Sequence, residues 1–229
     1  MRNSSPRLSI TGIFTSGSQT EARIEPAAAK ESMGLLKSIQ AGTVVPKAGA
    51  IYLTTASGKA TPVFNMYGGK VICGYAEGLA DGIYINSGYV NVYGGTIALG
   101  DAGATCSIYA SGGYVKLAGG TIEGRVYMGR SDRLTLSGNP IVENVDLTNG
   151  VTVKLGELTE GANIKVKADA GFAFTAANEN AASYLQYFEI HESLAETLEI
   201  TAVENQLVAT EKVVESEPET GTETTEPEA

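Results

Sequence analysis

The chain has 229 residues, 43% of them hydrophobic, and a formal net charge of −10. It has no basic stripe, which argues against a nucleic-acid partner. Because no apolar run approaches the 18 or so residues that span a bilayer, we expect no membrane insertion.

Glycine is enriched at 28 of 229 residues, and tyrosine outnumbers phenylalanine 11 to 5. This mixture is typical of short strands that are joined by tight corners. The two cysteines, Cys73 and Cys106, have no CxxC spacing. We interpret them as buried free thiols rather than a disulfide, and we expect no metal and no cofactor.

The N-terminal region has no continuous apolar segment of the kind that a signal peptide requires. Residues 1–23 fit no element, and we expect them to be disordered. Residues 24–41 hold helix formers after Pro26, with Leu35, Leu36 and Ile39 on one side. This pattern predicts an N-terminal capping helix.

Three short blocks recur along residues 42–155. The first block reads IYL at Ile51, IYI at Ile83, IYA at Ile108, VYM at Val126 and VDL at Val145. The second block reads FNMYGG from Phe64, VNVYGG from Val90, VKLAGG from Val115, LTLSGN from Leu134 and VTVKLG from Val151. The third block precedes each first block at Gly42, Gly69, Gly95, Gly120 and Asn139, with spacings of 27, 26, 25 and 19 residues.

Each block alternates apolar and polar residues, which predicts a strand with one buried face. Three strands of this length cannot fold alone, but stacked repeats can share one core. The sequence therefore predicts an all-β fold, a parallel β-helix with three short strands per coil and about five to six coils, capped at both ends.

The double glycine ends the second block at a constant distance in the first four coils. A fixed tight corner needs a positive φ, which glycine supplies, and Asn139 is expected to take this conformation in the fourth coil. A phosphate-binding loop is disfavoured because a strand follows the glycines, where such a loop needs a helix.

Two consecutive coils carry insertions at the same corner, residues 73–81 and 99–107. We expect these loops to stand side by side, where solenoids often bind partners. Their acidic residues Glu77, Asp81 and Asp101 could together hold calcium. We interpret them as solvated loop acids because they lack Asp-x-Asp spacing.

Beyond residue 155 the pattern fades. We assign residues 156–209 to a C-terminal cap with a hairpin that turns at residues 204–206. Residues 210–229 form an acidic tail that we expect to be disordered, since it offers nothing to bury.

The predicted ligand-binding residues are outward tyrosines. One set should stack as a ladder along the axis, and a shorter one should lie beside the glycine corner: Tyr52, Tyr84, Tyr109 and Tyr127, and then Tyr67 and Tyr93. Stacking between coils would stabilise the fold. The alternative is a platform for sugar rings. No catalytic residue is predicted, because the outward acids Asp146 and Glu123 have no partner in register.

The stretches NVYGGTI, KLAGGTIEG and LSGNPIVENVDLTNGVTVKLGELTEGANIKV resemble right-handed, pectate-lyase-like β-helix modules of large adhesin-like surface proteins of Gram-positive gut bacteria. The resemblance covers about residues 42–209. It implies an extracellular or cell wall-associated monomeric module, and the missing signal peptide and LPxTG-type signal suggest a fragment of a longer chain.

Together these observations predict a non-catalytic surface module, adhesin-like or a stalk, whose partner is a glycan or the surface of a host or neighbouring cell. The alternative is a carbohydrate-active enzyme of the β-helix class, either a polysaccharide lyase or a glycoside hydrolase.

Overall fold

The computed structural model describes residues 10–11, 14–16, 50–55, 61–73, 81–100 and 103–213. The helix predicted at residues 24–41, the loop acids Glu77 and Asp101, and the tail beyond residue 213 lie outside the described residues.

The described chain is built almost entirely from short strands. They are β1 (Ile10–Thr11), β2 (Phe14–Ser16), β3 (Ile51–Leu53), β4 (Val63–Met66), β5 (Lys70–Cys73), β6 (Ile83–Ile85), β7 (Tyr89–Val92), β8 (Thr96–Leu99), β9 (Cys106–Ala110), β10 (Tyr114–Leu117), β11 (Thr121–Met128), β12 (Leu134–Gly138), β13 (Ile141–Asp146), β14 (Lys154–Leu158), β15 (Asn163–Lys167), β16 (Phe188–Ile190), β17 (Leu198–Val203) and β18 (Gln206–Glu211). One helical turn, α1 (Ala181–Tyr184), and a 3-10 helix (Leu185–Tyr187) precede β16.

Two long sheets organise these strands. The ten-stranded sheet has the order β1-β5-β8-β11-β13-β15-β16, and the row β3-β6-β9 joins it at β11. The six-stranded sheet has the order β14-β12-β10-β7-β4-β2. All pairs within both sheets are parallel except those of β1 and β2, which are antiparallel. The fold is therefore all-β with long parallel sheets, compatible with a parallel β-solenoid.

The first blocks of successive repeats pair in register. Ile51 lies opposite Ile83, and Ile83 lies opposite Ile108. The column continues through Val126, Val145, Val166 and Ile190. Parallel pairing thus extends beyond residue 155 into the segment assigned to the cap, where the alternation of β15 buries Ile164 and Val166.

The third and first blocks merge in the later repeats. A single strand, β11, covers both blocks, and its register with β13 shifts between Ile122 and Arg125. Gly124 in this interval has φ +73°. A short connection therefore passes through a bulge, where the sequence predicted a corner between two strands, because one extra residue kinks a strand without ending its pairing.

One apolar cluster joins the inward residues of both sheets. Ile97, Ile108, Leu117 and Leu136 have no exposed surface. Each such side chain contributes about 1.5–3 kcal/mol when it is buried. The cluster also includes Phe174, Phe188 and Leu207 from the C-terminal segment, so the core is continuous to the last strands.

The glycine corners adopt positive φ where the pattern required it. Gly69, Gly95 and Gly120 have φ between +80° and +90°. In the fourth corner the prediction for Asn139 was wrong, because Gly138 takes the left-handed conformation there with φ +64°. Asn139 precedes Pro140, and the proline ring pushes the preceding residue toward extended backbone.

The C-terminal strands β17 and β18 form an antiparallel hairpin. Its two-residue turn holds Glu204 and Asn205, both with positive φ, as in a type I′ turn. The amide of Phe174 donates to the carbonyl oxygen of Leu207 at 2.9 Å, which joins the hairpin to the end of the six-stranded sheet.

Candidate functional site

The inner tyrosine row consists of Tyr52, Tyr84, Tyr109 and Tyr127, which lie in register on β3, β6, β9 and β11. Their successive ring centroids are 5.3, 5.6 and 4.6 Å apart, and the rings are within 24° of parallel. The predicted ladder is present because adjacent strands lie about 4.8 Å apart, which is close to the stacking distance of aromatic rings.

The inner row is less accessible than the outer pairs, since Tyr84 is buried and Tyr52, Tyr109 and Tyr127 are half-buried. The Tyr84 side chain is only 5% exposed, although it points away from the apolar core, and its hydroxyl lies 3.1 Å from Ser111 Oγ. The middle rings have both faces covered by neighbouring rings, so they have no face left for a sugar. Burial, followed by the neighbouring Tyr127 and Tyr84 phenols, raises the pKa of Tyr109.

The outer tyrosine pairs lie along the six-stranded sheet, on the face that points away from the apolar core. Tyr67 stacks on Tyr93 at 5.0 Å, and Tyr89 stacks on Tyr114 at 5.2 Å. These four side chains are 39–53% exposed. Sequence analysis missed Tyr89 and Tyr114, although a Gly-Tyr-Val sequence before each second block places both at the same outward position.

Cations and amides complete this outer face. The Arg133 guanidinium lies 3.9 Å from the centre of the Tyr114 ring, and Lys116 Nζ lies 5.8 Å from the Tyr93 ring. Between the two pairs, Asn91 Nδ2 donates to Asn65 Oδ1 at 2.8 Å. The face therefore offers ring edges, hydroxyls and amides that can contact a polar ligand.

Asp81 has a structural environment that its sequence context did not reveal. We expected a solvated loop acid, but Asp81 is only 6% exposed. Its Oδ2 accepts hydrogen bonds from the backbone amides of Thr105 and Cys106 at 2.7 and 2.9 Å. The carboxylate therefore holds the start of β9 against the preceding repeat. Among the described residues, no group of three or more His, Cys, Asp or Glu is arranged to hold a metal ion.

A second acid accompanies Glu123, which sequence analysis had left without a partner. Thr121 and Ile122 pair with Ile141 and Val142, so Glu143 follows at the matching position one repeat later. The block alignment with a spacing of 19 residues placed Ile141 opposite Ile122, one residue out of the observed register, and so missed this match. Glu143 Oε2 accepts from the amide of Gly124 at 2.7 Å, and Glu123 Oε2 accepts from the amide of Leu99 at 3.1 Å. Each carboxylate therefore binds the backbone of the preceding repeat.

Cys73 and Cys106 are buried free thiols, as predicted. Burial raises the pKa of Cys73 to about 11 and also raises the pKa of Cys106. Since the thiolate is the reactive form, these neutral thiols are poor nucleophiles.

No protein-family model, curated protein or solved structure matches the chain. Among the described residues, no helix is both long and apolar enough to cross a membrane.

Proposed function

We propose that the chain is a right-handed parallel β-helix module that serves, without catalytic activity, as an adhesin-like or stalk segment of an extracellular surface protein. The coils would hold three segments each, number about five to six, and be capped at both ends. The observation that supports this proposal is that outward side chains of one repeat contact the matching side chains of the next repeat. The stacked rings of the inner tyrosine row are the longest example.

Polar side chains on the outside of the sheets also form hydrogen bonds between successive repeats. Asn86 Nδ2 donates to Thr54 Oγ1 at 3.1 Å, and Asn91 donates to Asn65. In a solenoid each repeat contacts only its neighbours, so such bonds add to the stability of every interface. Outward groups that are committed to neighbouring repeats suit a rigid spacer better than an active site.

Glycan contact is the second part of the proposal. Of the six predicted tyrosines, Tyr67 and Tyr93 are the most accessible, and the middle of the inner row is covered. We therefore assign glycan contact to the outer tyrosine pairs, through ring edges and hydroxyl groups, rather than to the inner row.

A glycan array with the intact chain tests this proposal. We expect binding without turnover, and we expect the double variant Tyr67→Ala/Tyr93→Ala to lose it. The matched control is Tyr52→Ala, which removes a tyrosine at the end of the inner row and should keep the binding. Binding that persists in the double variant would remove the site assignment, and unsaturated or new reducing-end products would contradict the non-catalytic function.

The second candidate is a polysaccharide lyase or glycoside hydrolase, and it is favoured by Glu123 and Glu143 on successive repeats. Most glycoside hydrolases use a pair of carboxyl groups, one as the general acid and the other as the base or nucleophile. If this candidate is correct, Glu143→Gln abolishes product formation on polysaccharide substrates while Glu160→Gln, a change at an exposed acid, leaves it intact. Equal product yields from the two variants would exclude Glu143 as the catalytic acid.

A further inference from the structure

A cleft of about 590 Å³ lies beside β14, between Leu155–Leu158 and the segment that contains α1 and the 3-10 helix. Its origin is a change in chain direction. Val153 exchanges backbone hydrogen bonds with Phe174 and Ala176, both at 2.8 Å, so residues 174–176 continue the six-stranded sheet. After Ala176 the chain leaves the sheet, and Asn178 Nδ2 donates to the Leu155 carbonyl oxygen at 3.2 Å in place of a strand.

The cleft therefore occupies the position where a further strand would have covered the second half of β14. Its volume falls within the range of about 300–1,000 Å³ that is typical of small-ligand sites. Sequence analysis missed it because the two walls are about twenty residues apart in the chain, and the second wall carries no repeat motif.

Two tyrosines line the cleft in a geometry that differs from the stacked rows. The Tyr184 and Tyr187 ring centroids are 6.4 Å apart and the rings are tilted by 42°. Both side chains pack partly against the apolar core, and both line the cleft. Because the rings do not lie parallel, they do not cover each other's faces as the tyrosines of the inner row do.

The polar lining is rich in amides. Asn178 is held in place, since its Oδ1 accepts from the backbone amide of Asn180 at 2.9 Å. The side-chain amide of Asn180 is exposed and has no hydrogen-bond partner among the described residues. Gln186 and Ser183 also line the cleft. An amide both donates and accepts, which matches the hydroxyl groups of a sugar.

The charge of the lining disfavours acidic ligands. Glu157 is the only charged residue among those that line the cleft, and the whole chain carries −10. A uronate would meet a like charge with no lysine or arginine to balance it. Aromatic rings, amides and a hydroxyl without a cation suit an uncharged, polyhydroxylated ligand.

From this combination we propose that the cleft binds a short neutral oligosaccharide. This site is separate from the outer tyrosine pairs, and it stands whether or not those pairs bind a glycan.

Calorimetric titration of the intact chain with neutral trisaccharides, and in parallel with an acidic trigalacturonate, tests the proposal. We expect saturable binding of at least one neutral trisaccharide and none of the acidic one. Tyr187→Ala should weaken the affinity at least tenfold. Because Tyr187 also contacts the core, Asn180→Ala at an exposed position provides a second variant, with an expected loss of about threefold or more.

The matched control is Tyr52→Ala, at the end of the inner row, which should leave the neutral affinity unchanged. The double variant Tyr67→Ala/Tyr93→Ala is titrated beside it. If no neutral trisaccharide binds, or if both cleft variants bind as tightly as the unmodified chain, the proposal is wrong. Binding that is lost only in the Tyr67/Tyr93 variant would overturn the cleft site while supporting glycan contact at the outer tyrosine pairs. Tighter binding of the acidic trisaccharide would also overturn it.

Discussion

The inner tyrosine row and the outer tyrosine pairs have the same stacking geometry but differ in exposure, most clearly at the middle of the row. Ring centroids are 4.6–5.6 Å apart in both sets. Tyr84 in the inner row is 5% exposed, whereas Tyr67 in an outer pair is 53% exposed. Stacking follows from parallel register alone, while exposure depends on what surrounds the column. A tyrosine ladder in a repeat sequence is therefore a sign of register and not, by itself, of a binding surface.

The largest expected effect comes from replacing one tyrosine ring in each set. Tyr84→Ala removes a buried ring between two others and its contact with Ser111, so we expect a loss of about 3–4 kcal/mol in the free energy of unfolding. Tyr93→Ala removes an exposed ring, and we expect about 1 kcal/mol. Urea denaturation measures both. Equal losses would show that burial does not separate the two sets.

The glycine corner beside Tyr67 and Tyr93 gives the next effect. Gly95 has φ +90°, and a Cβ there would lie 2.6 Å from the carbonyl oxygen of Gly69. We expect Gly95→Ala to cost about 2–3 kcal/mol, since the strained backbone and the steric overlap add. Gly68→Ala is the control, because its Cβ would meet nothing within 4 Å. Urea denaturation of the two variants should therefore differ clearly, and similar midpoints would contradict a steric requirement at this corner.

The pH dependence of stability sharpens the comparison for the inner row. Burial, Tyr127 and Tyr84 raise the pKa of Tyr109 in the folded protein. The neutral Tyr109 phenol therefore contributes to stability. This contribution is complete below the pKa that Tyr109 has in the unfolded chain, and it is lost as the pH rises through the pKa of Tyr109 in the folded protein. We expect the free energy of unfolding to fall less steeply at alkaline pH in Tyr109→Phe than in the unmodified chain. Parallel pH profiles for the two proteins would mean that Tyr109 ionises as it does in the unfolded state.

The smallest expected effect concerns the cation at the end of an outer pair. The Arg133 guanidinium lies 3.9 Å from the centre of the Tyr114 ring. Arg133→Ala should lower the free energy of unfolding by about 0.5–1 kcal/mol, the size of an exposed cation–π contact. Arg130 is exposed without such a contact, so Arg130→Ala should be nearly neutral in the same denaturation experiment. A loss at Arg130 as large as at Arg133 would mean that general charge, not ring contact, is responsible.

Much of the strand register could be predicted from the sequence because the repeats differ little in their buried positions. The column from Ile51 through Val145 and the stacking of Tyr84 on Tyr109 follow from alternation with a period of two. The merging of two blocks in β11 did not follow, since six residues suit either a corner or a bulge. The burial of Asp81 depends on amides 24 and 25 residues away, and local pattern does not encode such a contact.

Polar contacts that occur between only one pair of repeats bear on how the chain avoids misfolding. If the strands slipped by one full repeat, these contacts would be lost. Glu143 would then lose the Gly124 amide, and Asp81 would lose the amides of Thr105 and Cys106. The hydrogen bond of the Cys106 amide is buried, and a buried donor that is left without a partner costs free energy. These contacts therefore favour one alignment of repeats whose strands are otherwise similar in sequence.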